Sequence, residues 1–421
     1  MTVGTPRSSQ IVVIGGGAVG VSAAWFLQQA GAHVTLLERG AIASGSSYGN
    51  AGLIVPSHSV PLAEPAALRQ GLRMMFNPDS PFYIKPRLDL DLISWLWKFR
   101  RSATDAHVHR TMPLLRDLHI ASRSLYKDLA AAGMNFDFGH VGRLLLYRTE
   151  AGHHHIEEES RLMAKIGLAV EMLDTAGVAE REPNLNFDVR GGAFYEDDAH
   201  LSPARFVRTL AESCRQAGVD VVENAEVLRL ITEGSRVRLV ETTRGDFEPE
   251  QVVLAAGAWS PALADDLQLQ APIQPAKGYS VTVQMPAPAP RTPLMFTEAR
   301  VAATPMGEHM RFAGTLELAG FDLSINRRRV EAIVRAVPHY VPAWQPTNLK
   351  VVEVWRGLRP CTPDGLPLLG RPRRWDNVVV TAGHAMIGVS LGPITGQIVA
   401  QLVVGDEPIY DLALTDPDRF G

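Results

Sequence analysis

The sequence predicts an α/β fold built on a parallel sheet, and three observations near its start support this. Residues 10–14 read QIVVI, a short β-branched run of the kind that is buried on both faces of a parallel sheet. The glycine-rich turn GGGAVG follows at once and leads into a helix-forming stretch over residues 21–30. A second strand, residues 33–37, then ends on Glu38. Strand, turn, helix, strand and acid in this order predict a Rossmann-type unit.

Three glycines of the turn have separate tasks in such a unit. Gly15 permits the tight turn, Gly17 lets the backbone approach a pyrophosphate, and Gly20 allows helix and strand to pack closely. The free N–H groups at the helix N-terminus stabilise the phosphates. Glu38 follows Gly20 by 18 residues, where its carboxylate accepts hydrogen bonds from ribose hydroxyls and repels the 2′-phosphate of NADP. The unit therefore predicts a dinucleotide.

The stretch after Glu38 favours FAD over NAD. Arg39 and the small-residue run over residues 43–52 follow the acid directly. Such a run lets the backbone lie against an elongated cofactor, and its hydroxyls are available to the pyrophosphate. An enzyme that uses nicotinamide more often continues into another βαβ unit, so we expect FAD.

Composition limits the remaining classes. The 421 residues, of which 46% are hydrophobic and 20% charged, predict a globular protein with two domains. A net charge of -4 provides no basic surface for nucleic acid. Two cysteines, Cys214 and Cys361, fit a reducing compartment. Because we find neither an apolar leader nor a membrane-spanning run, we expect a cytoplasmic protein, or one held peripherally on the inner face of the membrane.

Five separated motifs carry a resemblance to a known family. They are VVIGGGAVG, LLERG followed by ASGSSYGNAGL, VVLAAGAWS, VWRGLRPCTPDGLPLLG and TAGHAMIGVSLGPITG. In this order they resemble the D-amino acid oxidase and dehydrogenase superfamily of FAD enzymes, which includes glycine oxidase, monomeric sarcosine oxidase and bacterial D-amino acid dehydrogenases. The segments SSYGNAGLIVPSH, SPFYIKPRL and RPCTPDGLP are most similar to the D-amino acid dehydrogenases.

The scattered motifs imply that the FAD-binding domain is discontinuous, with residues 1–58, 198–270 and 352–421. Residues 59–197 and 271–351 are expected to form a mixed α+β substrate-binding domain that covers the flavin. Sarcosine oxidases tether their flavin through a cysteine, but Cys361 lacks the matching spacing. We therefore expect FAD to be bound non-covalently.

The resemblance also assigns residues to the cofactor. Val227 is expected to meet the adenine, and the segment over residues 252–259 to approach the cofactor closely. The loop over residues 381–391 and the N-terminus of the helix after it face the pyrimidine end of the flavin, where the helix stabilises negative charge. His384 either belongs to that contact or is simply a buried histidine. The predicted cofactor-binding residues are Gly15, Gly17, Ala18, Val19, Gly20, Glu38, Arg39, Ser46, Ser47, Asn50, Ala51, Gly52, Leu53, Val227, Ala256, Gly257, Trp259, Arg356, Gly383, His384, Ile387, Gly388, Val389 and Ser390.

Arg359 is the predicted substrate ligand and catalytic residue. It matches the family arginine that holds the substrate carboxylate through two parallel hydrogen bonds. The alternative is a structural arginine paired with Asp364. Tyr279 is expected either to contact the substrate carboxylate or amine, or to lie in the core. Asn50 and Met386 complete the predicted substrate contacts, and apolar Met386, where glycine oxidase has a second arginine, argues against glycine oxidase and for apolar or larger side chains.

Residues 88–101, LDLDLISWLWKFRR, leave two interpretations open. Leu92, Trp95, Leu96 and Phe99 fall on one helical stripe, with basic residues beside it. The helix either packs on the substrate-binding domain or lies at a membrane surface, which would bring the flavin close to quinones.

The resemblance implies a reaction. It is oxidative deamination of a D-amino acid to a 2-oxo acid and ammonia, by hydride transfer from Cα to flavin N5, with the electrons passed to a quinone or an artificial dye. An oxidase of glycine, sarcosine or D-amino acids that makes hydrogen peroxide is one alternative, and a flavin-fold subunit without turnover is another. The D configuration rests on the resemblance alone.

Overall fold

Two large sheets organise the chain. The structure, a computed structural model, describes residues 7–68 and 80–421, with only the backbone of residues 7–10. Its main helices are α1 (Ala18–Gln29), α2 (Leu90–Ser102), α3 (Asp105–Ala131), α4 (Glu150–Lys165), α5 (Thr175–Arg181), α6 (Pro203–Gln216), α7 (Ser260–Asp266), α8 (Arg327–Tyr340) and α9 (Gly392–Val404).

The first sheet contains the predicted glycine turn. Its strands are β1 (Arg7–Ile14), β2 (Val34–Leu37), β9 (Asp220–Val222), β10 (Val227–Glu233), β11 (Arg236–Thr242), β12 (Phe247–Leu254), β18 (Leu368–Gly370) and β19 (Val378–Ala382). Strand β1 pairs in parallel with both β2 and β12, and β12 pairs in parallel with β19. Val13 packs with α1, α6 and α9 on one face, whereas Val12 and Ile14 pack with α7 on the other. Strands β10, β11 and β18 join this sheet in antiparallel pairs, and its parallel centre, buried on both faces, confirms the Rossmann-type fold.

The second sheet lies opposite and forms the wall of the functional site. Its strands are β4 (Phe82–Ile84), β5 (Arg143–Tyr147), β6 (Glu171–Leu173), β7 (Gly191–Tyr195), β13 (Gln274–Gln284), β14 (Leu294–Phe296), β15 (Val301–Met306), β16 (His309–Leu318) and β17 (Val351–Cys361), in the order β17-β13-β16-β15-β14-β5-β7-β6 with β4 beside β16. One face packs Phe296 and Phe312 against α8. The other face carries small residues such as Ala302 and Ala313, which line the site. A short pair, β3 (Leu53–Ile54) with β8 (Ala199–His200), stands apart.

Two elements depart from the predicted division into domains. Strand β17 pairs with β13 from Gln274↔Cys361 to Val283↔Val351, so residues 352–361 belong to the second sheet rather than the first. Helix α3 contacts α9, and its Tyr126 donates a hydrogen bond to the Val389 carbonyl. Both departures have the same cause. The domain bounds were predicted from the positions of the motifs, whereas strand pairing and helix packing join segments on both sides of those bounds. The two-domain division itself stays a prediction.

Helix α2 packs against the second sheet through its apolar stripe, which one of the two interpretations of the sequence places at a membrane surface. Leu92 and Trp95 are buried, and Trp95 Nε1 donates a 2.9 Å hydrogen bond to the Cys361 carbonyl. The exposed apolar side chains lie elsewhere on this segment and include Ile93 and Trp97. The stripe therefore serves protein packing. Among the residues that the structure describes, no helix is long and apolar enough to span a membrane.

Candidate active site

A cavity of about 1450 Å³ is lined by residues of both sheets. It follows the carboxyl ends of β1 and β12 and continues across one face of the second sheet. Ligands of α/β proteins bind at the carboxyl ends of parallel strands, so this cavity is the candidate site.

The glycine turn has the close contacts that the sequence predicts. Gly15 has a φ of +115°, and a Cβ there would lie 2.4 Å from the Ala255 carbonyl oxygen. A Cβ on Gly20 would lie 1.9 Å from the Gly15 carbonyl oxygen. The Ala18 N–H donates to Ser47 Oγ at 3.0 Å, which places a hydroxyl at the N-terminus of α1. The turn thus exposes backbone to the cavity where a pyrophosphate fits.

The acid and the cation after β2 face the same part of the cavity. Glu38 accepts the Gly16 N–H at 2.7 Å and the Gly40 N–H at 2.9 Å, which fixes its carboxylate while leaving lone pairs for ribose hydroxyls. The Arg39 guanidinium lies 3.4 Å from the ring centroid of Trp259. These residues fit the adenosine half of FAD.

Most of the predicted cofactor residues come together here. Those that line the cavity are Gly15, Gly17, Ala18, Val19, Glu38, Arg39, Ser46, Ser47, Asn50, Ala51, Leu53, Val227, Ala256, Gly257, Trp259, Gly383, His384, Ile387, Gly388 and Val389. The structure brings them together from separate parts of the chain because strand ends and loops meet at one edge of the first sheet. Their contact with FAD stays a prediction.

Four predicted cofactor residues do not line the cavity. Gly20 and Gly52 instead permit close packing, and a Cβ on Gly52 would lie 2.2 Å from the Leu201 carbonyl oxygen. Arg356 donates to the Leu323 carbonyl at 2.9 Å, away from the cavity. Ser390 accepts the Val55 N–H at 3.1 Å, and its hydroxyl lies 2.8 Å from His119 Nδ1. Internal hydrogen bonds thus occupy both polar side chains.

Arg359 faces the cavity with unused hydrogen-bonding capacity. Its Nη1 donates to the Thr315 carbonyl at 2.7 Å, and its guanidinium lies over Gly278, where a Cβ would be 2.1 Å from Nη1. Asp364, the alternative partner, is held by Arg419 at 2.7 Å. None of the described carboxylates forms an ion pair with Arg359, and burial lowers the pKa of its guanidinium. A partly used, half-buried guanidinium in a cavity is suited to bind an anionic group.

Tyr279 turns away from Arg359. On β13 and β17 it pairs with Arg356, whereas Ala276 pairs with Arg359, so the two predicted substrate ligands lie on opposite faces of the sheet. The Tyr279 hydroxyl donates to Glu317 Oε2 at 2.8 Å and accepts the Asn326 N–H at 3.2 Å. Burial raises the pKa of Tyr279. Tyr279 is thus a buried residue whose hydroxyl is bonded within the protein, although it is also among the residues that line the cavity, and its contact with substrate stays a prediction.

The remaining predicted ligands surround the loop before α9. Asn50 Nδ2 donates to the Met386 carbonyl at 3.1 Å and Asn50 Oδ1 accepts the Gly52 N–H at 2.8 Å, so this side chain orders the loop rather than reaching for substrate. Met386 lines the cavity. His384 is buried with Nε2 3.3 Å from Thr395 Oγ1, and burial lowers its pKa to about 4. His384 is therefore neutral near pH 7.

Sequence reasoning missed two groups of cavity residues. The first group lies on α2 near Arg359 and consists of Trp95, Leu96 and Phe99. The sequence shows that these residues share one helical stripe, but it does not show that the stripe covers the cavity. A polar group at the other end, formed by His58, Arg143, His155, Glu159 and Arg300, also lines it. No sequence pattern joins residues that distant.

Comparisons with known proteins agree with this geometry. The model of the DAO family, described as FAD dependent oxidoreductase, matches residues 10–402. The D-amino acid dehydrogenase of Methylobacterium radiotolerans is 34% identical over 419 residues, which cover 96% of this chain and 98% of that protein. The D-amino acid dehydrogenase of Granulibacter bethesdensis is 31% identical, with 96% and 98% coverage.

Solved structures share the fold. Glycine oxidase from Geobacillus kaustophilus superimposes with a TM-score of 0.81 at 24% identity, covering 98% of this chain and 99% of that one. L-proline dehydrogenase from P. horikoshii superimposes with a TM-score of 0.75 at 22% identity, covering 99% and 98%. At these identities the likeness concerns the fold alone.

Proposed function

Because this chain belongs to the DAO family of FAD-dependent oxidoreductases, we propose that it catalyses the oxidative deamination of D-amino acids to 2-oxo acids and ammonia. The observation that carries the proposal is Arg359, a half-buried cation that faces the cavity without a carboxylate partner among the described residues. The name of the curated relatives supports the D configuration. FAD, when bound, supplies the acceptor for the hydride that leaves the substrate Cα, at flavin N5.

Arg359 binds and orients the substrate in this proposal. Its planar guanidinium donates two parallel hydrogen bonds to the substrate carboxylate, which leaves the bond to Thr315 in place. Two-point binding fixes the rotation of the amino acid, and therefore which face of Cα meets the flavin. Gly278 leaves the space that the guanidinium occupies, since a Cβ there would lie 2.1 Å from Arg359 Nη1.

The same site promotes loss of a proton from the substrate ammonium. Nitrogen needs its lone pair before the Cα–H bond breaks. A cation beside the amine and the removal of water both lower the pKa of the amine. Trp95, Leu96 and Phe99 supply the apolar wall that excludes water near Arg359. The imine product is then hydrolysed to the 2-oxo acid and ammonia.

The electron acceptor distinguishes the dehydrogenase from the alternative oxidase. We infer that the electrons pass to a quinone, or to an artificial dye in the assay, because curated relatives at 31% and 34% identity are named dehydrogenases. An oxygen-using oxidase would instead form hydrogen peroxide at the rate of substrate turnover.

Peripheral contact with a membrane is part of the proposal and uses the outer surface of the segment over residues 88–101. Leu88, Leu90, Ile93 and Trp97 are exposed there, and the Arg101 guanidinium lies 4.6 Å from the ring centroid of Trp97. Exposed apolar and aromatic side chains beside basic ones are typical of interfacial helices. Cosedimentation with anionic lipid vesicles tests it, and Trp97→Ser should reduce the bound fraction.

One experiment tests the proposed reaction. The holoenzyme is mixed under nitrogen with a panel of D- and L-amino acids, and the flavin absorbance is followed before and after air is admitted. We expect D-amino acids to bleach the flavin, L-enantiomers not to, and air to restore the colour slowly. Bleaching by none of the amino acids would refute the proposed function and support a subunit without turnover. Fast reoxidation in air with stoichiometric peroxide would establish the oxidase.

A further inference from the structure

The cavity extends beyond the region that a free amino acid needs. Its wall on the second sheet runs from Arg359 on β17 to Arg143 on β5, five strands away in the order of that sheet. At about 4.8 Å a step this is about 24 Å along the sheet. An amino acid bound to Arg359 is far too short to reach the other end. None of the predicted cofactor residues lines the distant part, which we call the second compartment, so it has room for another ligand beside FAD and the amino acid.

The second compartment opens beside the predicted flavin end. His58 shares a small recess with Ala385, Met386 and Ile387, all in the loop expected to face the flavin pyrimidine. The His58 N–H also donates to the Val55 carbonyl at 2.9 Å, and Val55 lines the cavity. A ligand against His58 is thus adjacent to the loop that is expected to face the flavin.

The charges of the second compartment balance. Arg143 is buried and pairs with Asp198 at 2.8 Å, and it donates to Ser57 Oγ at 2.7 Å. Arg300 and Glu159 supply one further charge of each sign. Apart from Glu158, which is exposed to solvent, two guanidinium groups face two carboxylates, so the interior of the compartment leaves no excess charge for an ionic ligand, which favours a neutral one.

Its walls combine an apolar surface with hydrogen-bond donors. Val60, Val108, Leu162 and Met295 pack in one hydrophobic cluster and line the cavity here. The donors are the His58 imidazole and the Arg300 guanidinium, whose Nη2 lies 3.3 Å from His155 Nε2. A flat apolar wall with a few donors suits a neutral ring that carries carbonyl oxygens.

We propose that the second compartment binds the quinone that accepts the electrons, with its ring against Leu162 and Met295 and its carbonyl oxygens towards His58 and Arg300. This inference rests on the proposed function, since it presupposes a flavin reduced by an amino acid. Conversion of the quinone to a hydroquinone takes two electrons and two protons. The quinone receives a hydride equivalent from the reduced flavin and one proton from the protein side, where His58, Glu159 and exposed Glu158 line the way to solvent.

The test separates the two half-reactions with variants of the holoenzyme. His58→Leu removes a donor at similar size, and Leu162→Trp fills the second compartment. Leu96→Trp is the matched control, because it fills the cavity near Arg359 instead. For each protein, binding of ubiquinone-1 is measured by equilibrium dialysis, and flavin reduction by a D-amino acid is measured under nitrogen by stopped flow.

His58→Leu and Leu162→Trp should each weaken ubiquinone-1 binding by about tenfold or more while leaving the rate of flavin reduction within about twofold. Leu96→Trp should instead slow flavin reduction by the D-amino acid and leave ubiquinone-1 binding little changed. Unchanged ubiquinone-1 binding with slower flavin reduction in His58→Leu would overturn the inference and assign the compartment to the amino acid. Wild-type enzyme that is bleached by D-amino acids but binds no ubiquinone-1 would also overturn it, with the proposed function intact. Absence of bleaching in the wild type would refute the proposed function itself.

Discussion

Replacement of Arg359 by leucine removes the group on which substrate binding depends. The guanidinium uses one hydrogen bond on Thr315 and has the others available to a carboxylate. Two charge-assisted hydrogen bonds of about 1.5 kcal/mol each amount to about 3 kcal/mol. Since about 1.4 kcal/mol is a factor of ten, binding of the substrate carboxylate should weaken by roughly 150-fold. Arg359→Lys keeps the positive charge but cannot donate two parallel hydrogen bonds, and it should retain about half of the binding free energy that these bonds contribute.

The assay uses the perturbation of the flavin spectrum on titration with a 2-oxo acid, which binds through its carboxylate and is not oxidised. The concentration dependence of flavin reduction by a D-amino acid gives the second measurement. Arg356→Leu is the control, since Arg356 lies three residues away on the opposite face of β17 and donates to the Leu323 carbonyl. It should bind within about threefold of wild type. An Arg359→Leu protein that also bound within threefold would refute the assignment of Arg359.

Three further predictions concern stability. Burial lowers the pKa of His119 to about 3, below its ordinary value of 6.5. Between these pH values the unfolded chain binds one more proton than the folded chain, so the free energy of unfolding should fall as the pH drops from about 6.5 towards 3. His119→Gln should reduce that pH dependence by one proton. Gly20→Ala should abolish FAD retention and lower Tm, because its Cβ would meet the Gly15 carbonyl oxygen at 1.9 Å; normal flavin content would contradict the packing role. Arg419→Met should reduce the free energy of unfolding in urea by about 3 kcal/mol, since it leaves Asp364 buried without its cation, and a change below about 1 kcal/mol would show that Asp364 has another partner.

The nucleotide-binding half was predictable because its signals are local. Strand, turn, helix and acid lie within residues 10–38 at a fixed spacing, although Gly15 also packs closely against the distant Ala255 carbonyl. Gly15 must adopt a φ of +115°, which glycine tolerates, and Gly20 has no space for a side chain. Glu38 must end β2 for its carboxylate to meet the turn. Such constraints are readable from spacing alone.

The substrate half was predictable only where the family resemblance reached. Arg359 and Tyr279 both line the cavity, as the resemblance implied, but the Tyr279 hydroxyl is bonded to Glu317 and Arg356 does not line the cavity, although all three lie in segments that resemble the family. The face of the sheet on which each side chain lies depends on its position along β13 or β17, since neighbouring residues of a strand point to opposite faces. A resemblance that identifies the strand does not say which of its faces meets the cavity.

The sequence by itself determined a Rossmann-type unit and its dinucleotide, and the family resemblance identified Arg359, whose contact with substrate stays a prediction. The tertiary structure decided that Asp364 belongs to Arg419, that the apolar stripe of α2 packs inward, and that His58, Arg143, Glu159 and Arg300 share one compartment. The physical reason is the range of the interactions. Turn and helix constraints act within a few residues, whereas these pairings join residues from 55 to 266 positions apart, and only the packing of the two sheets brings them together.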